Sequence, residues 1–287
     1  METTYIVAVV IYNRKCYESE TCKNLERIRK YFSLRIIIAD NSTIETNNKE
    51  YCRLHNWEYL EMGGNVGLSK AYNKILDYVN TKDFHTIIVW VDDDTEITEE
   101  FFKELDSKAE NSSNTHIFVP IIYGTDGIIY SPNTRRFFRN KLMTNENDIP
   151  VQSDFNAINS CMAIRMSVFD NYRYDENLFM DSVDQKYCED MHLIGYKFCK
   201  LNIKITQHFF QRSEGLTAEK AWNRYKIRIH DFMYYANKNF LCRWLGIIKV
   251  CAWGIQIGIK CKSISFMMKC VWLSLKYAVK LSFERNI

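Results

Sequence analysis

The 287 residues, with 47% hydrophobic side chains, three prolines and ten glycines, suffice for one large domain and argue against a disordered or low-complexity chain. The net charge of +3 conceals an asymmetry, because residues 216–287 carry 13 Lys and Arg against 3 Asp and Glu, a net +10 that leaves −7 for residues 1–215. We therefore predict a folded body over residues 1–215 and a basic region over residues 216–287 that meets an anionic partner. The ten cysteines show no C-x-x-C spacing, which favours free thiols over disulfides or zinc.

Strands and helices alternate from the start of the chain. Tyr5–Tyr12 (YIVAVVIY) and Leu34–Ala39 (LRIIIA) have the continuous apolar pattern of buried strands, and Thr21–Phe32 between them has helical spacing. This order predicts a βαβ unit in a parallel sheet with a right-handed crossover. Asn13 follows the first strand and Asp40 follows the second, so a polar residue lies at the carboxyl end of each predicted strand.

A glycine-rich turn follows the predicted third strand, Trp57–Leu60. It reads GGNVG over residues 63–67 and precedes a predicted helix over Leu68–Val79. The backbone N–H groups of such a turn can cradle phosphate. The pattern is neither a G-x-G-x-x-G fingerprint nor a P-loop, so a tight turn that needs positive φ is the simpler explanation of the pattern taken alone.

Three consecutive aspartates, Asp92, Asp93 and Asp94, follow the predicted fourth strand, which is centred on Thr86–Val91. Adjacent carboxylates repel one another unless solvent or a cation compensates them. Open α/β sheets bind ligands beyond the carboxyl ends of their strands. The pattern is explained equally well by a site for a divalent metal and a nucleoside diphosphate and by a solvated turn before the acidic helix that starts near Thr98.

The second half of the chain has weaker patterns. We predict a strand over His116–Tyr123, a surface loop over Ser131–Pro150, a helix over Gln185–Ile194, a strand over Lys197–Phe210 and helices from Thr217 almost to the end. Asp181 and Asp184 have a structural explanation as caps of the helix that follows them. His208, taken singly, is explained as a core histidine of the late strand.

The order of these motifs resembles the inverting glycosyltransferases of the GT-A fold, family 2, and within them the rhamnosyltransferase-like branch. The matching segments are VAVVIYNR (7–14), IIIADNS (36–42), GGNVGLSKAYN (63–73), VDDDTEI (91–97) and YDENLFMDSVDQKYCEDMHLIGYK (174–197). The last segment, followed by a strand that ends in His208, is the most specific. Two departures are the lack of an arginine near Glu189 or Asp190 and of a glycine directly after His208.

The resemblance implies the GT-A fold (nucleotide-diphospho-sugar transferase), a Rossmann-like mixed α/β sheet, with the helical region as a C-terminal extension. It also implies roles for individual residues. The residues expected to bind the nucleotide sugar are Asn13, Asp40, Asn41, Asn65, Gly67, Asn73, Asp92 and Arg212. Asp94 and His208, with Asp92, are expected to hold Mn²⁺ or Mg²⁺, cations that prefer hard oxygen ligands. Asp184 matches the general base, with Asp181 as the second candidate.

The expected reaction is the metal-dependent, inverting transfer of a sugar, L-rhamnose from dTDP-L-rhamnose or another pyrimidine-diphosphate sugar, to a hydroxyl of a surface polysaccharide or lipid-linked glycan. One alternative is a nucleotidyltransferase that makes sugar nucleotides. Such enzymes usually carry a basic glycine-rich loop after the first strand, where this chain has Asn13-Arg14-Lys15. A second alternative is a membrane-bound binder or scaffold without catalysis, although all the candidate acids are present.

The basic C-terminal region combines regularly spaced lysines with tryptophans and aliphatic residues, which is typical of helices in an anionic membrane interface. The alternatives are a helical lid on the catalytic domain and a contact between copies of the chain. The longest uncharged run, Val250–Ile259, predicts that the region does not cross a bilayer. With no signal peptide predicted, the expected location is the cytoplasmic face of the cell membrane. No nucleic-acid module is recognised, so no nucleic-acid partner is expected.

Overall fold

The computed structural model describes residues 3–80, 84–112, 114–137, 139–208 and 217–284. The chain divides into two compact units. The first comprises residues 1–174 and 187–209, and the second comprises residues 175–186 and 210–287. The short segment that carries Asp181 and Asp184 is thus grouped with the C-terminal helices.

The first unit is built on a mixed sheet with helices on its faces. Its strands are β1 (Thr4–Ile11), β2 (Leu34–Asp40), β3 (Glu58–Glu61), β4 (Thr86–Asp92), β5 (Ile117–Gly124), β6 (Ile129–Ser131), β7 (Asn133–Thr134), β8 (Lys141–Leu142), β9 (Phe155–Asn156), β10 (Met162–Arg165) and β11 (Phe198–Gln207). The helices up to residue 194 are α1 (Glu20–Ile28), α2 (Asn48–Leu54), α3 (Leu68–Val79), α4 (Glu99–Asn111) and α5 (Val183–Ile194), the last of which begins in the second unit.

The main sheet has the strand order β11-β5-β10-β4-β1-β2-β3, with β6 paired to β5. The strands β4, β1, β2 and β3 run parallel, and β11 runs parallel to β5. β10 is antiparallel to both of its neighbours, β4 and β5. The predicted mixed α/β fold is therefore confirmed, and its parallel half is the part that the apolar strand patterns indicated.

Strand β4 is buried on both faces, because successive side chains of a strand point to opposite sides of the sheet. Ile87, Val89 and Val91 join a core cluster that also includes residues of α1 and α4. On the alternate positions, Trp90 packs against the ring of Tyr72 at a centroid distance of 4.2 Å and is fully buried. The continuous apolar run before the aspartates thus serves two cores.

The structure adds order where the sequence predicted loops. The predicted surface loop over Ser131–Pro150 contains β7 and β8, which form a three-stranded sheet with β9. The strand β10 and the helix α2 were also missed. Both are short, and β10 has only four residues, so neither carries a periodic pattern long enough to recognise.

The second unit contains the helices α6 (Ala218–Ala236), α7 (Phe240–Lys260) and α8 (Ile264–Glu284). Glycines let α7 and α8 approach closely. A Cβ atom on Gly254 would lie 3.0 Å from Cys270 Cβ, and one on Gly258 would lie 2.4 Å from Met267 Cγ. A side chain at either position therefore requires Cys270 or Met267 of α8 to move.

Among the described residues, α7 is one helix long and apolar enough to cross a membrane by length and composition. An 18-residue stretch of this helix has a mean hydropathy of 1.4, and 28% of that stretch is buried inside the protein. The uncharged run Val250–Ile259 is shorter than this helix, because the apolar length of the helix also includes Arg243 and Lys249. The core helix of a soluble protein can have the same length and composition, so these properties alone do not distinguish a membrane-spanning helix from a packed or interfacial one.

We expect Gly258→Leu to lower the free energy of unfolding by about 1–3 kcal/mol, because the side chain overpacks the contact with α8. The better helix propensity of leucine works in the opposite direction by about 1 kcal/mol. Thermal or denaturant unfolding of the full chain measures the difference. The matched control is Ala252→Leu at an exposed position of the same helix, and equal stabilities of the two variants would contradict the close packing.

Candidate active site

The carboxyl ends of three neighbouring strands meet at one edge of the main sheet. β1 lies between β2 and β4, and its register pairs Ile11 with Asp40 on one side and Val10 with Asp92 on the other. Asp40 and Asp92 therefore lie two strands apart, about 10 Å at the usual strand spacing. Asp40 and Asp92 thus lie at the same edge of the sheet, as expected for residues at the carboxyl ends of parallel strands.

Asp40 orders the loop that follows β2. One oxygen of its buried carboxylate accepts from the backbone N–H of Ser42 at 3.0 Å. The other accepts from Thr46 Oγ1 at 2.8 Å, Asn48 Nδ2 at 3.0 Å and the Tyr59 hydroxyl at 3.3 Å. These four donors match the acceptor capacity of a carboxylate, so direct contact with a nucleobase requires one of them to be exchanged. The nucleotide-binding role of Asp40 stays a prediction.

Two asparagines tie neighbouring loops together. Asn13 has a φ of 50°, and its Oδ1 accepts from the backbone N–H of Thr43 at 2.8 Å. Asn41 donates from Nδ2 to Asn65 Oδ1 at 3.2 Å and accepts at Oδ1 from the backbone N–H of Val66 at 2.9 Å. Asn13 and Asn65 remain exposed to solvent. The structure thus brings these predicted nucleotide-side asparagines together in three adjoining loops, which follow β1, β2 and β3.

Helix α3 begins at the glycine-rich turn. Gly67 directly precedes the first residue of α3 and has a φ of 89°. Residues other than glycine adopt this backbone conformation only at an energetic cost. Within α3, Asn73 donates from Nδ2 to the carbonyl of Tyr174 and accepts from the N–H of Tyr174, both at 2.9 Å. Asn73 thus holds the backbone of Tyr174, and its role close to the nucleotide stays a prediction.

The three aspartates after β4 have different surroundings. Arg14 Nη1 lies 3.0 Å from Asp93 Oδ1, and Ser19 Oγ donates to the carbonyl of Asp93 at 2.7 Å. Burial raises the pKa of Asp93 to about 6, with Arg14 acting against the rise and Asp94 adding to it. Burial also raises the pKa of Asp94, although a hydrogen bond from Gln207 opposes the change. Asp93 thereby anchors the turn through Arg14 and Ser19.

Gln207 joins the two outer aspartates. Its Nε2 donates to Asp92 Oδ2 at 2.7 Å and lies 3.4 Å from Asp94 Oδ1. The side chain is buried, and within the described part of the chain its Oε1 has no hydrogen-bond partner. Sequence reasoning missed Gln207, although it ends β11 and directly precedes His208.

A divalent cation fits the aspartate pair as a partial site. The described residues contain no group of three His, Cys, Asp or Glu side chains suited to one metal ion. The ring of His208 faces Glu96, with Nε2 2.9 Å from Glu96 Oε1, so its predicted part in the metal site stays a prediction. Mg²⁺ is commonly held by one or two carboxylates with substrate phosphates and water completing its shell. Asp92, Asp94 and the unpartnered oxygen of Gln207 match that chemistry.

The candidate base lies in the second unit. Asp184 lies in the first turn of α5 and accepts from the backbone N–H of Gln185 at 2.8 Å. The residue keeps partial solvent exposure, yet desolvation by the surrounding protein raises the pKa of its carboxyl to about 6, and Asp181 adds to the rise. A carboxylate with this pKa is mostly ionised at neutral pH and still basic enough to accept a proton.

Asp181, the second candidate, is engaged elsewhere. Arg224 binds both of its oxygens, with Nη2 2.8 Å from Oδ1 and Nη1 in contact with Oδ2. A bidentate guanidinium holds a carboxylate in one orientation. The geometry therefore favours Asp184 over Asp181 as base. Sequence reasoning did not find Arg224, and Arg212, predicted to approach the diphosphate, lies outside the described residues.

Comparisons with known proteins identify the family of the chain. The sequence model of Glycosyl transferase family 2 matches residues 6–173, more than half of the chain. The dTDP-rhamnosyl transferase RfbF of Shigella flexneri is 27% identical over 231 residues, which cover 71% of this chain and 75% of that protein. These matches decide against the nucleotidyltransferase alternative.

Solved structures share the fold. S. aureus TarS has a TM-score of 0.51 at 14% identity over 80% of this chain, and the alignment covers only 40% of TarS. Glucosyl-3-phosphoglycerate synthase from Mycobacterium tuberculosis has a TM-score of 0.51 at 11% identity, with 79% of this chain and 77% of that one covered. At these identities the likeness establishes the fold, while the family match establishes the activity class. The chain belongs to glycosyl transferase family 2 and is a glycosyltransferase with the GT-A fold.

Proposed function

We propose that the protein transfers a sugar from a pyrimidine nucleoside diphosphate, with dTDP-L-rhamnose as the first candidate donor, to a hydroxyl of a glycan or lipid-linked glycan. The observation that carries the proposal is the pair Asp92 and Asp94, held by Gln207 beside the loop that Asp40 orders. The relative from Shigella flexneri is described as a dTDP-rhamnosyl transferase. S. aureus TarS has been solved with UDP, a pyrimidine nucleoside diphosphate, and with UDP-GlcNAc, a sugar derivative of that nucleotide.

The nucleotide would bind across the ends of β1 and β2, where the loops of Asn13, Asn41 and Asn65 adjoin. Amide side chains can recognise the hydrogen-bonding groups of a pyrimidine and a ribose. Gly67 would let the backbone of the glycine-rich turn approach the ligand, because no Cβ intervenes. In this proposal Asp40 keeps the loop in shape and exchanges one of its four donors when the base binds.

Asp92 and Asp94 would hold a divalent cation, with Gln207 supplying its amide oxygen once the side-chain amide turns over. A bound cation of this kind stabilises the negative charge that develops on the leaving nucleoside diphosphate. The structure of glucosyl-3-phosphoglycerate synthase was solved with Mn²⁺ and UDP. Mn²⁺ and Mg²⁺ are both compatible with an oxygen-rich donor set.

Asp184 would accept the proton of the acceptor hydroxyl as that oxygen bonds to the anomeric carbon. The bond between the anomeric carbon and the diphosphate oxygen breaks, and the electron pair leaves with the nucleoside diphosphate. Attack opposite to the leaving group inverts the anomeric configuration. The raised pKa of Asp184, about 6, suits the carboxylate to this step at neutral pH.

The C-terminal helices support a membrane surface as the place where the acceptor is met. Each of α7 and α8 carries one stripe of exposed large apolar side chains. On α7 these are Leu241, Trp244, Ile248, Ile255 and Ile259, and on α8 they are Ile264, Met268, Trp272, Leu275, Val279 and Phe283. Such stripes are long enough to lie in the plane of a bilayer interface.

Basic residues flank the stripe on α8. The exposed residues Lys269, Lys276 and Lys280 each follow a stripe residue by one position, which places them about 100° around the helix. Lys249 of α7, one of the regularly spaced lysines, is not fully exposed. Its Nζ lies 4.2 Å from the centroid of the Phe232 ring. The lysines of α8 therefore carry the proposed attraction to anionic lipid headgroups.

We expect dTDP-L-rhamnose with Mn²⁺ to raise the melting temperature by about 5 °C at a concentration well above its dissociation constant, because ligand binding stabilises the folded state. A thermal-shift panel of dTDP- and UDP-sugars with Mn²⁺, Mg²⁺ and EDTA makes the measurement. Asp94→Asn should remove the metal-dependent part of the shift. The matched control, Asp93→Asn, should retain it, and a full metal-dependent shift in Asp94→Asn would show that Asp94 is not a metal ligand.

We expect kcat/KM for transfer or donor hydrolysis to fall about tenfold per pH unit below pH 6 and to level off above it. The sign follows because the base acts in its ionised form, which protonation removes below its pKa of about 6. Asp184→Asn should lower kcat at least about 100-fold at neutral pH, while calorimetry shows unchanged donor binding. Asp181→Asn is the comparison, and if it abolished turnover while Asp184→Asn did not, the base would be Asp181.

We expect the full chain to float with vesicles of phosphatidylglycerol and phosphatidylethanolamine, and to bind neutral phosphatidylcholine vesicles much less. Trp272→Glu should reduce flotation about tenfold, since a charge is added to the apolar stripe. Gln256→Glu, which adds the same charge at an exposed position of α7 outside the stripe, should float like the unmodified chain. Equal flotation of both variants would reject the interface. Resistance of the bound protein to alkaline carbonate extraction would favour a span over an interfacial helix.

A further inference from the structure

A buried carboxylate in helix α6 binds the backbone of the segment that leads into the candidate base. Asp231 is fully buried, and its Oδ1 accepts from the N–H of Phe179 at 2.9 Å. Its Oδ2 accepts from the N–H groups of Met180 and Asp181, both at 2.7 Å. His230 Nδ1 lies 2.8 Å from Oδ1. One side chain therefore captures three successive backbone N–H groups.

This arrangement fixes backbone rather than side chains. Residues 179–181 have no helical or strand assignment, so their N–H groups depend on partners outside regular structure. Charge-assisted hydrogen bonds to a buried carboxylate are shorter and stronger than those between neutral groups. Ser182, the next residue, has a φ of 62°, a conformation that non-glycine residues rarely adopt. The turn before α5 is thus held in a defined and locally strained shape.

The same helix holds the segment at a second point. Arg224, about two turns before Asp231 on α6, binds the carboxylate of Asp181 through both of its terminal nitrogens. Asp181 is therefore fixed at its backbone by Asp231 and at its side chain by Arg224. Asp184 follows three residues later, in the first turn of α5.

We propose that Asp231 is a positioning residue for Asp184. It sets where α5 begins, and thereby where the carboxyl of Asp184 points, without contact with the reacting groups. The inference rests on the proposed role of Asp184 as base. It also assigns a positioning role to α6, a part of the C-terminal region for which the sequence suggested a membrane interface, a helical lid or a contact between copies of the chain.

A purely structural role makes a different prediction. If Asp231 only stabilises the fold, its loss lowers the fraction of folded protein, while the folded molecules keep their kcat. A positioning role lowers kcat in protein that is fully folded, and it leaves donor affinity unchanged, because the proposed nucleotide-binding residues other than Arg212 belong to the first unit.

The test uses the full chain with Asp231→Asn, which keeps the size of the side chain but presents an amide to the three N–H donors. Turnover is measured as release of dTDP from dTDP-L-rhamnose with water as acceptor, or with the donor that gives the largest thermal shift. We expect kcat to fall 10- to 100-fold and the dissociation constant of dTDP to stay within twofold. The matched control is Ser274→Ala, a buried polar position on α8 whose Oγ donates to the carbonyl of Val271, and it should keep its kcat.

Combination with Asp184→Asn separates this inference from the function on which it rests. If Asp231 acts through Asp184, the double variant turns over no more slowly than Asp184→Asn alone. A further 10-fold loss in the double variant, or a kcat of Asp231→Asn within twofold of the unmodified chain, overturns the positioning role. Full turnover of Asp184→Asn overturns the base assignment itself, whatever Asp231→Asn shows.

A second variant keeps the inference testable if Asp231→Asn folds poorly. Arg224→Gln releases the side chain of Asp181 at a partly exposed pair and leaves Asp231 in place. We expect a smaller fall in kcat, about 3- to 10-fold, again with unchanged dTDP affinity. An unchanged kcat in folded Arg224→Gln would contradict the idea that α6 sets the geometry of the segment.

Discussion

The accumulation of negative charge at the end of β4 is the constraint on which the candidate site depends. Three adjacent carboxylates are costly in a partly buried turn unless each finds a different partner. The structure separates them: Asp93 pairs with Arg14, while Asp92 and Asp94 meet at the amide of Gln207. The outer pair is thus held together by one side chain, and it is the pair proposed to hold a divalent cation.

The remainder of the first unit serves that edge of the sheet. The parallel register places Asp40 and Asp92 on either side of β1, and the double-sided burial of β4 fixes the strand from which the aspartates emerge. Hydrogen bonds from side chains near the start of α1, including Ser19 Oγ, hold the carbonyls of the turn. Rigid strands thereby carry the loops that are proposed to contact the donor, which is the usual division of work in open α/β sheets.

The second unit gives the candidate base a different kind of support. Asp184 has the raised pKa of a desolvated carboxyl, and the segment before it is held by the hydrogen bonds and ion pair of α6. The same unit exposes two apolar stripes on α7 and α8. One group of helices therefore combines a proposed positioning function with a proposed membrane-facing surface.

The sequence by itself determined the parallel strands, the order of the acidic motifs and the family, since apolar runs and strand-end motifs are local properties of the chain. Only the tertiary structure decided the partners of those acids. Gln207 reaches Asp92 across more than a hundred residues, Asp231 reaches the segment before Asp184 across about fifty, and the ring of His208 faces Glu96. The short strand β10 was also unreadable, because four residues carry no period. Contacts between distant residues depend on how strands and helices pack, and no local pattern encodes that packing.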